Sequence, residues 1–458
     1  MAEQKVRNSA LYTALRAYYA EVLKIWRSKY PTDEVLPRKV ETKPRFEGSN
    51  LGYIQETQIN LLLLLDSQIF DPAHVSSYVA VEQAMRGDAK VARHLDTIVG
   101  PSGFRFPVKV ESSVRAFLGH LLADRNALVV DDRRFEEVYV AAENFFYSDA
   151  LPFRYIAPLL NFKMEAERIE LCKGLSLISM AAKEREKYLD QVGAMWPGMG
   201  PGWRGAGFGW EEFGLELLMD APKEFGELTT TFAALHSPLE TATERIEEAL
   251  SAFRLFKPGA IGYAMILQVV TGWSPTGFTM YRWSEVPLGL PYALSGSEVA
   301  QFRIFWDQYG QARSRNRPRI DLALRRLSFG IERIRPEDRL IDYVIGLEAL
   351  LAGHEKAGDL KYRIAMRGAR LLGGDGSARS KIHAELDRGY RLRNVIVHGG
   401  AVNQTVTIDR EEMALTEFVD RIATHLRDAI KALMARTAAV GEAQVIRSLD
   451  EEVVRGSP

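Results

Sequence analysis

The sequence predicts an α+β chain, predominantly helical, in which a C-terminal antiparallel four-helix bundle follows an α+β region and a helical N-terminal region. Three observations carry this. Apolar residues recur three and four apart over most of the first 150 positions and again beyond residue 320, the period of helices with one buried face. From Phe153 onward the period shortens into compact runs rich in branched side chains, as strands require. Pro and Gly fall between the runs, where they end helices and open turns.

In the N-terminal region, residues 1–150, the spacing predicts helices over 10–30, 58–70, 77–99, 112–123 and 131–146, with a Pro- and Lys-containing connector over 31–50. The role of this region is not legible. Residues 151–310 read as an α+β region, a candidate sensor or regulatory domain. There, 168–171 and 175–180 flank Lys173-Gly174 as a hairpin. Further strands are expected at 260–270, 277–283 and 286–293, and helices at 237–253 and 297–308.

A Gly- and Trp-rich stretch, 193–210, contains Gly200, Gly202 and Gly205 in literal G-x-G-x-x-G order. No clear strand leads into it and Pro201 stiffens the turn, so a dinucleotide site is rejected. The expectation is a loop that packs Trp196, Trp203 and Trp210 over a neighbour. GK[ST], HExxH and GxSxG are absent, which removes the usual support for phosphate-loop, zinc-protease and hydrolase-elbow chemistry.

The bundle is expected in residues 311–436. Helices are predicted over 320–334, stopped by Pro336; 338–352, stopped by Gly353; and 361–372, stopped at Gly373-Gly374. Ser377 or Ser380 can cap the next, in which Ile382, Leu386 and Tyr390 step by four into Arg393. The last helix, 407–434, carries Leu415, Phe418, Ile422, Leu426, Ala429 and Leu433 as a buried stripe. Residues 437–458 read as a polar tail.

Length and composition bound what remains. The 458 residues suffice for two or three domains, and 47% hydrophobic with 26% charged residues is ordinary globular composition. The longest apolar run, 61–65, is far too short to span a bilayer, and the first residues lack an apolar signal core, so a cytoplasmic protein without membrane contact is expected. Cys172 is the sole cysteine, which excludes an internal disulfide and a cysteine-based zinc site; no cofactor or metal is expected. Asn403-Gln404-Thr405 spells a glycosylation sequon, without meaning in that setting. Net charge is −1, yet residues 311–400 hold 19 Lys and Arg against 11 Asp and Glu, a local balance of +8. Such a segment suits an RNA substrate, or simply solvates helix faces.

Within that segment lies RNVIVH, Arg393 to His398, followed by Gly399 and Gly400. A histidine takes and gives a proton near neutrality, and an arginine presents a rigid fork of donors to a phosphate. RNA carries its own nucleophile, the 2′-hydroxyl. Cleavage needs that proton removed, the phosphorane steadied and the 5′-oxygen protonated. His398 fits a proton transfer, Arg393 the phosphate, and Asn394 could orient the imidazole or touch phosphate; the glycines end the helix beside them. In a continuous helix, positions five apart point roughly 140° away from each other, so either the helix breaks here or the site is completed elsewhere. Glu348, in an otherwise apolar helix, could orient Arg393 or His398, or could pair across the bundle with Arg363 or Arg367. Asp342 is a lesser candidate. The other histidines, 74, 94, 120, 236, 354, 383 and 425, show no ligand spacing.

RNVIVH resembles the R-[polar]-x3-H signature of HEPN ribonuclease domains. Upstream, EDRLIDYVIGLEALL (337–351) resembles the second helix of the Apea-like HEPN family. PLLNF (158–162), ERIEL and LSLISM resemble the region preceding that domain. The likeness is good over 320–433, loose over 155–306 and absent before. It implies a HEPN-type bundle and a metal-independent endoribonuclease. Two domains pair face to face and bring two arginines and two histidines into one cleft, hence a homodimer or larger even assembly. It further implies a role in phage defence or as a toxin, released by a phage-derived or protein trigger. A non-catalytic HEPN module that binds RNA or a protein as a scaffold is the alternative. A third reading, an enzyme site within the middle region, has no motif behind it.

Overall fold

The computed structural model describes residues 6–47, 50–65, 74–100, 106–123, 125, 127–195, 211–226, 238–263, 265–274, 279–283, 290–313, 317–352, 359–437 and 440–455. It is mixed α+β and largely helical. Two compact units form. Met1–Pro158, Cys172–Glu244 and Met265–Trp283 make the first; Leu159–Leu171, Arg245–Ala264 and Ser284–Pro458 make the second. The sequential boundaries expected near 150 and 310 give way to this interleaving because one sheet of the first unit draws on distant strands: Tyr155 pairs with Leu217, and Ile156 with Leu267.

In the first unit, helix Ser9–Lys29 starts where Asn8 accepts the Leu11 N–H at 2.8 Å and buries Leu11, Leu15, Tyr18, Val22 and Trp26 along one stripe. Helices Val110–Leu122 and Asp132–Tyr147 also stand close to expectation. The 31–50 connector, the 58–70 helix and the second half of the 77–99 helix do not; the 77–99 span gives helix Tyr78–Gly87, a short helical turn Ala89–Ala92 and strand Thr97–Gly100. Arg38–Glu47 and Asn50–Ile59 form an antiparallel hairpin, and only Leu61–Leu64 is helical after it; residues 66–73 lie outside the described ones. The charges explain the hairpin. Lys39, Glu41, Lys43 and Arg45 alternate at strand period, and across the pair Lys43 and Arg45 meet Glu56 at 3.6 and 3.2 Å.

The sheet runs Thr279–Trp283, Met265–Val270, Ala150–Leu160, Phe213–Pro222, Leu175–Ser179, with antiparallel neighbours. Ile156, Ile178, Met180, Tyr188, Met265 and Leu267 form a buried cluster in this unit. Strands Arg168–Cys172 and Leu175–Ser179 flank Lys173 and Gly174, the glycine at φ +83° as a tight turn needs. Helix Ala182–Met195 follows; Trp196, Trp203 and Trp210 lie outside the described residues, as does most of the stretch expected to pack as a loop.

The second unit contains helices Pro238–Phe256 (from Arg245), Gly296–Arg313, Pro318–Glu332, Pro336–Leu351, Leu360–Leu372, Gly376–Val397 and Leu415–Arg436. Pro318 and Pro336 sit in first turns, where a missing N–H costs nothing. Among the last five helices, Pro336–Leu351 and Leu415–Arg436 each pack against all the others. The stripe from Leu415 to Leu433 is buried as expected. Gly330 permits one close approach: a Cβ there would lie 2.1 Å from the Tyr343 ring.

Three expectations for this unit are corrected. The cap of Gly376–Val397 is Asp375, not Ser377 or Ser380; its carboxylate accepts the Ala378 N–H at 2.8 Å. The last bundle helix begins at Leu415 instead of 407. A hairpin, Thr405–Ile408 with Glu411–Ala414, precedes it and turns through Asp409 and Arg410 at φ 46° and 70°. The polar tail is in large part helix Glu442–Arg455, with Val445, Ile446 and Leu449 buried at three-four spacing. Among the described residues no helix is long and apolar enough to cross a membrane.

Candidate functional site

Helix Gly376–Val397 carries RNVIVH in its last turns. It stops at His398, the C-cap, because Gly399 enters the left-handed region at φ +80°. Gly399 N–H donates to the Ile396 carbonyl at 2.9 Å and Gly400 N–H to that of Val395 at 2.8 Å, the two bonds of a Schellman turn. The glycines thus end the helix as expected. They leave His398 exposed at its tip, with no side-chain hydrogen bond among the described residues. Beside it Val395 and Val397 are 41% and 52% exposed, an apolar margin to the helix end.

Arg393 lies half-buried one turn back. Its Nη1 donates to Asn394 Oδ1 at 3.0 Å, its Nη2 stands 3.6 Å from Glu348 Oε2, and its Nε is buried without a hydrogen-bond partner among the described residues. Asn394 is therefore tied to the guanidinium and not to the imidazole. Glu348, from helix Pro336–Leu351, takes its first role, holding Arg393. Arg367, one of the rival partners, instead grips Asp450 at 2.6 and 2.8 Å and donates to the Leu351 carbonyl. Burial lifts the Glu348 carboxyl above its ordinary value, and Arg393 offsets only part of that.

Tyr390, three residues before Arg393, was missed as a site residue. The Arg393 guanidinium stands 5.9 Å from its ring, and burial, with Glu348 nearby, raises its hydroxyl pKa. Helical i, i+3 spacing was the available signal. No contact joins Arg393 to His398 within the chain among the described residues.

His425 is less ordinary than its spacing suggested. Its Nε2 meets Glu385 Oε2 at 2.6 Å, and Arg421 reaches the other oxygen at 3.1 Å. Burial pushes Glu385 up, but its interactions with His425 and Arg421 outweigh it and the carboxyl ends below its ordinary value. Asp342 is buried between Arg326 at 2.8 Å and Arg333 at 3.4 Å, a helix-to-helix tie. Among the described residues no group of His, Cys, Asp and Glu could hold a metal ion.

The arrangement offers an exposed imidazole and, one turn back, a half-buried guanidinium held by Asn394 and Glu348. No family model, curated protein or solved structure matches the chain.

Proposed function

We propose that the chain is a metal-independent endoribonuclease acting as a homodimer, its C-terminal helices forming a HEPN-type antiparallel four-helix bundle. The carrying observation is the helix end at His398. It leaves an imidazole in solvent one turn beyond a guanidinium that Asn394 and Glu348 hold in place. In the reaction one histidine removes the 2′-hydroxyl proton, and the oxygen attacks phosphorus. Arg393 steadies the phosphorane, and a second histidine protonates the departing 5′-oxygen, leaving a 2′,3′-cyclic phosphate. One chain supplies a single RNVIVH, so the second histidine comes from a second copy across a two-fold axis. The exposed Val395 and Val397 suit burial in such a contact. The remaining residues would sense a phage-derived or protein trigger in the cytoplasm, in defence or as a toxin.

The test is cleavage of labelled RNA in excess chelator, alongside sedimentation. Wild-type protein should cut as a dimer, and His398→Ala and Arg393→Ala should each lose cutting while keeping their circular dichroism. Full activity in either variant rejects the reading. A second reading, a non-catalytic RNA-binding scaffold, is favoured by the lack of contact between Arg393 and His398 within one chain; RNA bound yet uncut by the wild-type dimer would select it.

A further inference from the structure

A cavity of about 510 Å³ opens where helices Leu360–Leu372, Gly376–Val397 and Glu442–Arg455 meet. It falls within the roughly 300–1,000 Å³ usual for small-molecule sites. Its lining is mixed. Tyr362, 54% exposed, meets His383 edge to face at 6.3 Å between ring centroids. Met366 and Ala369 give it an apolar part. Ser380 and Arg379 stand one turn before His383 on the same helix. Arg379 donates from Nε to the Gly373 carbonyl at 3.1 Å, and its terminal nitrogens are unengaged among the described residues. The carboxylate in the wall, Glu452, is matched twice, by Arg370 at 3.2 Å and Arg436 at 3.1 Å, so this cluster stays positive.

We propose that this cavity binds a nucleoside phosphate, its base stacked on Tyr362 beside His383 and its phosphate held by Arg379 and Ser380. An exposed ring next to an open guanidinium matches both halves of such a ligand, a flat base and a compact anion. A plain anion would leave the rings without a purpose, and an apolar ligand would strand the guanidinium. The ligand has two possible sources: one residue of an RNA strand, or a free nucleotide. His383 and His398 lie on one helix, fifteen residues or roughly 22 Å apart. A strand seated here could run on to the proposed cleavage site, and that source alone rests on the ribonuclease reading.

The experiment uses the full chain carrying His398→Ala, so that RNA stays whole. Titration calorimetry with each ribonucleoside 5′-monophosphate, and anisotropy with a fluorescein-labelled single-stranded RNA, measure the two sources. Tyr362→Ala and Arg379→Gln should each weaken binding about tenfold, whereas Lys381→Gln, on the exposed side, should not. Monophosphate binding that the RNA displaces identifies a strand subsite; monophosphate binding that it leaves intact identifies a free-nucleotide site. Absence of monophosphate binding, or binding that survives both substitutions, overturns the proposal. These readouts do not involve cleavage, so they stand whether or not the wild-type protein cuts RNA.

Discussion

Glu348 is a half-buried carboxyl 3.6 Å from the Arg393 guanidinium, and burial works against its charged form. Its carboxyl is raised in the folded chain, so the native state binds that proton more tightly than the unfolded one does. The contribution to stability therefore declines as pH climbs from the ordinary value near 4.5 through the folded value, and neutral pH lies on the unfavourable side. Glu348→Gln should flatten that slope and raise the melting temperature at pH 7.5 more than at pH 5. The same change should slow the proposed RNA cleavage, because the Arg393 guanidinium loses the negative charge beside its Nη2. Lower stability at pH 7.5 would show that attraction to Arg393 outweighs the burial of the charge. A residue kept at a cost in stability beside RNVIVH is the pattern expected of a working site.

Among the elements, the turn at Gly399 is the one on which the placement of His398 depends. An L side chain in that backbone region costs about 1–2 kcal/mol. Gly399→Ala should thus lose that much in chemical denaturation, although its Cβ would meet nothing within 4 Å. Gly374→Ala, equally uncrowded and without a positive φ, should stay within about 0.5 kcal/mol. This helix end was legible because two consecutive glycines after an apolar run have one common use. So were the Leu415-to-Leu433 stripe and the hairpin about Lys173 and Gly174, but not the long sheet strands Ala150–Leu160 and Phe213–Pro222. The hairpin Arg38–Glu47 with Asn50–Ile59 was not, because its period-two signal is carried by charges, and Lys with Pro suggests a connector. Helix Glu442–Arg455 was hidden similarly: three buried apolar residues are outnumbered by charges whose partners come from other helices. For the candidate site, residue types and spacing singled out Arg393, Asn394 and His398, while the Tyr390 contact and the choice of Arg393 over Arg367 by Glu348 depend on how helices cross. Sequence spacing does not encode that crossing.

At the scale of the whole molecule, the +8 balance of residues 311–400 is offset in part by acids outside that segment. Arg339 takes Asp420, Arg367 takes Asp450 and Arg370 takes Glu452, whereas the pairs of Arg326 and Arg333 with Asp342 and of Arg391 with Asp387 lie within the segment and leave its balance unchanged. With three of the eight excess charges so matched, about five remain for a polyanion, so single-stranded RNA should bind His398→Ala protein with a log–log salt slope of about −3.5, at about 0.7 per phosphate contact. Eight open cations would give about −6, and a measured value there would mean that the internal ion pairs release on binding.

The interleaved assembly also bears on synthesis. Leu159–Leu171 belongs with segments made much later: the Asn161 carbonyl accepts the Tyr292 N–H at 2.7 Å, and Phe162 stacks on the Tyr292 ring. At about 5–20 residues per second, a ribosome needs roughly 7–26 seconds to deliver Tyr292 after Asn161. For that interval the apolar side chains around Phe162 emerge unsheltered inside a half-made protein, a window open to chaperones and to self-association of nascent chains.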